Sequence, residues 1–170
     1  EQYIIPTLGV WDRFEDIDFD ALPDQFVLKC THDSGGLAIC SDKKTFDKEA
    51  ARKKINKSLK RNYYYSGREW PYKNVKPRII AEEYMEDKDT KELRDYKFFC
   101  FNGVPKMLFV ASERQRQGEE TKFDFFDMDY KHLDLRNGHP NATVLPAKPI
   151  RFDDMKVLAA KLSQGIPHLR

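Results

Sequence analysis

The stretch Phe26-Val27-Leu28-Lys29-Cys30-Thr31-His32-Asp33-Ser34-Gly35-Gly36 is an apolar run that stops on a lysine and hands over at once to a polar loop closed by two glycines. A strand ending this way sets one fixed positive charge beside several free N–H donors, which suits a polyphosphate. It is not a P-loop. Lys29 precedes the glycines, no G-x-x-x-x-G-K-[ST] occurs, and Leu37-Ala38-Ile39-Cys40 reads as a second short strand, not as a helix. The geometry implied is a hairpin whose tip folds over a nucleotide.

Upstream, Trp11, Phe14, Ile17, Phe19 and Leu22 recur irregularly among acids, which predicts a short helical turn in a packed opening segment. Downstream, Phe46, Ala50, Ile55 and Leu59 recur near helical spacing with Lys and Arg between them, predicting an amphipathic helix over 45–63 that starts at Thr45 and has a basic outer face. The aromatic, basic run over 63–77 is broken by Gly67, Pro71 and Pro77 and reads as a long connection. Arg78 to Met85 enters as a buried strand and leaves on two acids. Tyr96–Phe101, Asn102-Gly103 and Met107–Val110 make a hairpin, because Asn-Gly supplies the positive φ of a type I′ turn. Phe123, Phe125 and Phe126 resume a strand, and Phe152 to Leu162 is a helix with Asp153 and Asp154 near its start and Gly165 past its end. Locally paired strands outnumber helices, so the class is α+β with antiparallel sheets. Ser34 to Gly36 and Arg114 to Thr121, with glycine and few apolar anchors, are expected to be the most mobile interior segments.

Composition narrows the partners. With 170 residues, 40% of them hydrophobic, the chain can bury a real core in one domain or two small lobes. Thirty basic against 28 acidic residues, a net charge of +2, leave no overall field for nucleic acid or an anionic membrane, so phosphate recognition must be local. Three cysteines make no disulfide framework, and no apolar run reaches membrane-spanning length, so a soluble, cytoplasmic protein is expected.

Several residues carry two readings. Lys29 is either a phosphate contact or a strand-end lysine with its ammonium in water. Glu82, Glu83, Tyr84 and Met85 form either an adenine slot, in which backbone pairs with the base edge and side chains flank its faces, or a plain sheet edge. Asp95 and Lys97 point to the same face, where Lys97 meets an anion or pairs with Asp95. Asp124, Asp127 and Asp129 resemble a divalent-metal cluster, but acids at turns are usually solvated and that reading weighs more heavily. Cys30, His32 and Cys40 match no zinc-finger spacing and fit buried cysteines beside a polar histidine better. The bases of 48–61 followed by Tyr63, Tyr64, Tyr65 and Trp70 interleave as in a single-strand nucleic-acid binder, against which a solvated helix face beside packed aromatics weighs more heavily.

Four blocks in this order and spacing resemble the teichuronopeptide-biosynthesis-like (TupA-like) ATP-grasp family of bacterial cell-surface polysaccharide biosynthesis. They are Phe26 to Gly36, Asn62 to Tyr65 with Arg68-Glu69-Trp70, Lys76 to Tyr84, and Asp95 to Gly103. The resemblance implies an ATP-grasp-type fold in which two antiparallel-sheet lobes with packed helices clamp a nucleotide. It divides the chain into a first lobe over 1–80 with the phosphate loop and basic helix, and the hinge with a second lobe over 81–170. By the same resemblance Lys29 touches phosphate and the adenine edge, Ser34, Gly35 and Gly36 close over the phosphates, Glu82, Glu83, Tyr84 and Met85 hold adenine, and Asp95, with Lys97 beside it, meets the ribose. Lys131 is placed like a γ-phosphate lysine and Arg170 like the arginine that steadies the acyl phosphate. The cofactors implied are ATP and Mg²⁺.

The implied activity is ATP-dependent carboxylate-amine ligation through an acyl phosphate, with a carboxylate and an amine or sugar-linked acceptor as partners. The family's metal-binding acids follow the arginine, so the resemblance places them beyond Arg170 and its amino-terminal lobe before Glu1. The expectation is a piece of a longer enzyme, incomplete at both ends, that binds nucleotide and turns over essentially nothing by itself. The alternatives are a sugar-nucleotide glycosyltransferase, which Asp127-Met128-Asp129 would serve as a metal-binding pair, and a catalytically silent nucleotide-binding module.

Overall fold

Alternation along β2 (Phe26–Cys30) sets the architecture of the first half of the chain. Phe26, Leu28 and Cys30 are buried on one face while Val27 and Lys29 stand half-buried on the other. With β1 (Thr7–Trp11), β3 (Leu37–Cys40) and β4 (Ile79–Glu83), β2 forms a sheet in the order β1-β4-β2-β3, every neighbour antiparallel. The computed structural model describes residues 3–87, 93–113 and 120–170. Two compact units meet in sequence between Met85 and Glu86. β4, the strand on which a boundary at residue 80 would fall, lies inside the first sheet between β1 and β2.

Helix α1 (Lys48–Leu59) covers the buried face of this sheet with Ala51, Ile55 and Ser58. Its start differs from the sequence expectation. Asp47, not Thr45, is the N-cap, its carboxylate accepting the Ala50 N–H at 2.9 Å, because Asp47 has the extended backbone and short acceptor a cap requires. The buried stripe accordingly runs through Ala51 and leaves Ala50 exposed. Phe46, just before the cap, packs edge-on against Phe26 at 5.4 Å, and Phe14 and Phe19 complete the aromatic side of the core.

The opening segment holds a strand that its spacing hides. A register shift between Thr7 and Gly9 in the β1–β4 ladder lets both Leu8 and Trp11 pack on the core, which erases the period-2 signal. A 3-10 turn at Phe14–Asp16 follows, as the aromatic spacing predicts. The connection over 63–77 is also more regular than its glycines and prolines suggest. It contains the single turn α2 (Tyr64–Gly67) and a 3-10 turn at Trp70–Tyr72.

In the second unit β5 (Asp95–Phe101), β6 (Val104–Ser112), β7 (Lys122–Asp127), β8 (His132–Leu133) and β9 (His168–Leu169) form an antiparallel sheet in the order β8-β7-β6-β5-β9. Asn102 and Gly103 both take positive φ, 48° and 77°, as the type I′ reading requires. One face carries Leu108, Val110 and Phe126 packed with Phe152 of α3 (Phe152–Leu162), and the other carries Phe109, Ala111 and Phe125. Gly165, at φ 74°, turns the chain after α3 so that β9 can pair with β5. The architecture is α+β with two antiparallel sheets, as expected. The loop expected to be mobile over 114–121 lies, for residues 114–119, outside the described residues. Among the described residues no helix is long and apolar enough to cross a membrane.

Both tryptophans, Trp11 and Trp70, belong to the first unit, so tryptophan fluorescence isolates its unfolding. Ile55, fully buried under the first sheet, should lose about 2–5 kcal/mol on truncation to Ala in a urea titration followed by that signal. Val157→Ala, at an exposed position of α3 in the other unit, should leave that transition within about 0.5 kcal/mol.

Candidate functional site

The face of the first sheet opposite α1 carries two rows of side chains set by register. Val10, Ile80, Lys29 and Leu37 stand side by side across all four strands, and Glu82, Val27 and Ile39 form the next row. Lys29 donates from Nζ to Oε2 of Glu82, diagonally across β2 and β4. The lysine is half-exposed, with Val10 and Ile39 exposed at the sheet's edges. Lys29, half-exposed beside Glu82, stands among the apolar side chains of Val10, Val27, Leu37, Ile39 and Ile80, with Thr7 next to Glu82 in its row.

The loop after Lys29 is anchored far more firmly than a glycine-closed tip implies. Thr31 is fixed to the strand entering β4: its Oγ1 donates to the Lys76 carbonyl at 2.9 Å and accepts the Arg78 N–H at 3.1 Å. His32 is buried, its Nε2 3.2 Å from the Ser58 carbonyl and 3.0 Å from that of Arg61. Both partners only accept, so Nε2 carries the proton and donates to two carbonyls at the C-terminal end of α1. Asp33, its side chain fully buried, accepts from the Ser58 hydroxyl and from Nη2 of Arg61 at 2.9 Å. Gly36 is buried too, and a Cβ there would collide with Ser58 and Asp33. Of residues 34–36 only Ser34 and Gly35 are exposed.

After β4, Glu83 and Tyr84 line an open recess of about 580 Å³ with Leu8, Leu22, Pro23 and Gln25, while Met85 is exposed. In the second unit Asp95 and Lys97 are near neighbours at 3.9 Å, and Lys97 also lies 5.6 Å from the Phe109 ring. Lys131 is exposed, its backbone N–H bonded to Asp127 at 2.8 Å, and Arg170 follows β9 beside β5. Lys29 and Glu82 are thus brought together directly, with Ser34 to Gly36 following Lys29 within the same unit; Asp95, Lys97, Lys131 and Arg170 belong to the other.

Two of the three acids of the β7 region, Asp124 and Asp127, have separate duties. Asp124 is fully buried, with the Ala142 N–H at 3.2 Å and His132 at 3.3 Å. Asp127 organises the β7–β8 turn by accepting the N–H groups of Asp129 and Lys131. Cys30, His32 and Cys40 point to different partners, the Ile55 carbonyl, the end of α1 and the Asp24 carbonyl, and burial raises both thiols above their ordinary pKa. The aromatic connection keeps its ring faces for its own cations: Lys73 lies 5.2 Å from the Tyr64 ring and 4.6 Å from that of Trp70, and Arg68 lies 5.7 Å from Tyr64.

Two antiparallel sheets with few helices, the first carrying a strand-end lysine and a glycine-closed loop, fit an ATP-grasp fold. The chain belongs to the TupA-like ATPgrasp family, whose model matches residues 1–170. No curated protein and no solved structure matches it. ATP-grasp proteins form a superfamily of ligase-like, nucleotide-binding enzymes that use ATP with Mg²⁺. Among the described residues no group of three or more His, Cys, Asp or Glu side chains could hold a metal ion, and the duties of Asp124 and Asp127 explain why that trio does not.

Sequence reasoning missed His32, Asp33, Ser58 and Arg61 as parts of the site. Their contacts span 25 to 29 residues, and only the short polar run before the glycines hints at them. Gly36→Ala should lower stability by about 1–3 kcal/mol through overpacking against Ser58 and Asp33, read as a lower urea midpoint of the tryptophan transition. A midpoint equal to the wild type would mean that the loop base can move aside.

Proposed function

We propose that the chain binds ATP on the open face of its first sheet, as the nucleotide-holding part of an ATP-dependent ligase that activates a carboxylate. The observation that carries this reading is the Lys29–Glu82 pair on a face lined mainly by Val10, Val27, Leu37, Ile39 and Ile80, at the root of a glycine-closed loop. An apolar surface takes the base, a half-exposed lysine takes phosphate oxygens, and loop N–H groups surround them. In the second unit we assign Asp95 to the ribose hydroxyls, Lys131 to the γ-phosphate and Arg170 to the charge of the acyl phosphate.

In the reaction proposed, a carboxylate oxygen attacks the γ-phosphorus, ADP leaves, and an amine or other nucleophile on the acceptor then displaces phosphate from the acyl carbon. Such a transfer needs positioning and charge neutralisation more than a protein nucleophile, which is what fixed lysines and amides supply. The family suggests cell-surface polysaccharide biosynthesis as the setting, with a sugar-linked acceptor.

Lys29→Ala should weaken ATP binding by about 1–3 kcal/mol in calorimetry, the range for losing a charge-assisted contact. Equal affinity of variant and wild type would remove Lys29 from the site. Absence of ATP and ADP binding by the wild type would overturn the reading itself.

A further inference from the structure

The buried polar group beneath the loop tip is larger than holding a hairpin together requires. β2 and β3 are already paired from Phe26–Cys40 to Lys29–Leu37, and the Cys30 N–H donates to the Gly36 carbonyl at 2.9 Å, which closes the hairpin on backbone bonds alone. Yet two consecutive loop residues, His32 and Asp33, are buried to grip the end of a helix that lies more than 20 residues further along the chain. Burying a carboxylate is unfavourable unless charge and hydrogen bonds meet it. Here one oxygen of Asp33 is met by the Ser58 hydroxyl and the Arg61 guanidinium. His32 ties the same turn through the carbonyls of Ser58 and Arg61, and Gly36 sits against Ser58 and Asp33 with no room for a side chain. Both flanks of the Ser34–Gly35 tip are therefore clamped to one helical turn.

We propose that Asp33 and Arg61 form a positioning pair that presets the Ser34–Gly35–Gly36 tip for phosphate, with the last turn of α1 as the rigid support. The inference rests on the nucleotide reading above. A loop that orders only on binding loses affinity to its own ordering, whereas a loop already held in place does not. The pair touches no ligand and acts on the phosphates through the loop backbone. Arg61 is half-exposed, so its replacement by Gln keeps a donor near Asp33 while removing the charge. Its effect should concern the phosphate end of a nucleotide and spare the base.

The experiment compares wild type, Arg61→Gln and Arg61→Lys by calorimetry with ATP and with adenosine, and by hydrogen exchange of the ligand-free chains. Arg61→Gln should lose about 10-fold in ATP affinity at unchanged adenosine affinity, exchange the amides of residues 34–36 faster than wild type, and leave the β5–β6 hairpin unaltered. Arg61→Lys, which restores the charge, should recover part of both effects. An unchanged ratio of ATP to adenosine affinity together with unchanged exchange at 34–36 overturns the positioning role, as does an equal loss of both ligands, which would mark a purely structural pair. If the wild type binds neither ligand, the nucleotide reading fails, and the exchange comparison alone then decides whether Asp33 and Arg61 hold the tip. Asp33→Asn, which keeps a partner for Ser58, serves as a second variant, and exchange at 34–36 equal to wild type in both variants rejects the pair.

Discussion

Burial of Phe26, Leu28 and Cys30 on one face of β2 is the constraint from which the first unit follows. Strand side chains alternate strictly, so sealing these three under α1 forces Val27 and Lys29 onto the opposite face. Register then decides the neighbours of Lys29: opposite Ile80 on one side and Leu37 on the other, it lies diagonal to Glu82. A slip of one residue would bury the lysine and expose the phenylalanine, and the energetic asymmetry between those outcomes pins the register. The candidate site is in this sense a by-product of how the core is built.

Much of this was legible because it depends on local chemistry. The strand-end lysine, the Asn102-Gly103 turn and the helix over Phe152–Leu162 each announce themselves within about ten residues, through alternation, a positive-φ pair and helical spacing. What stayed hidden depends on partners distant in sequence. β1 is obscured by the shift that turns both Leu8 and Trp11 inward, and the two-residue strands β8 and β9 exist only because β7 and β5 offer them a ladder. The pairing of Lys29 with Glu82 spans 53 residues and cannot be read without the register. For the same reason Asp127 passes for a metal ligand in sequence, while the structure uses it to close a turn.

The second unit solves a different packing problem. Its sheet is aromatic on both faces, with Phe98 and Phe126 packed with Phe152 of α3 on one and Phe99, Phe109, Phe123 and Phe125 on the other. Such a sheet reads from sequence as a run of phenylalanines without clean alternation, because both sides are apolar. Lys97 stands on this background beside Asp95 and near the Phe109 ring, its charge compensated locally, so its stem adds to the apolar surface while its head stays at the water boundary.

Lys29, on β2, and Asp33, in the loop that follows, are four positions apart and show how burial assigns opposite tasks to charged residues. The Asp33 carboxylate has no access to solvent, so it is tied to partners that meet its charge, and exchanging them would leave an unpaired charge in the interior. Lys29 keeps water at hand, paired with Glu82 at the surface of the sheet. One group is fixed because it is buried, and the other remains available because it is not. Thr31, His32 and Asp33, between the lysine and the glycines, hold the loop backbone in place.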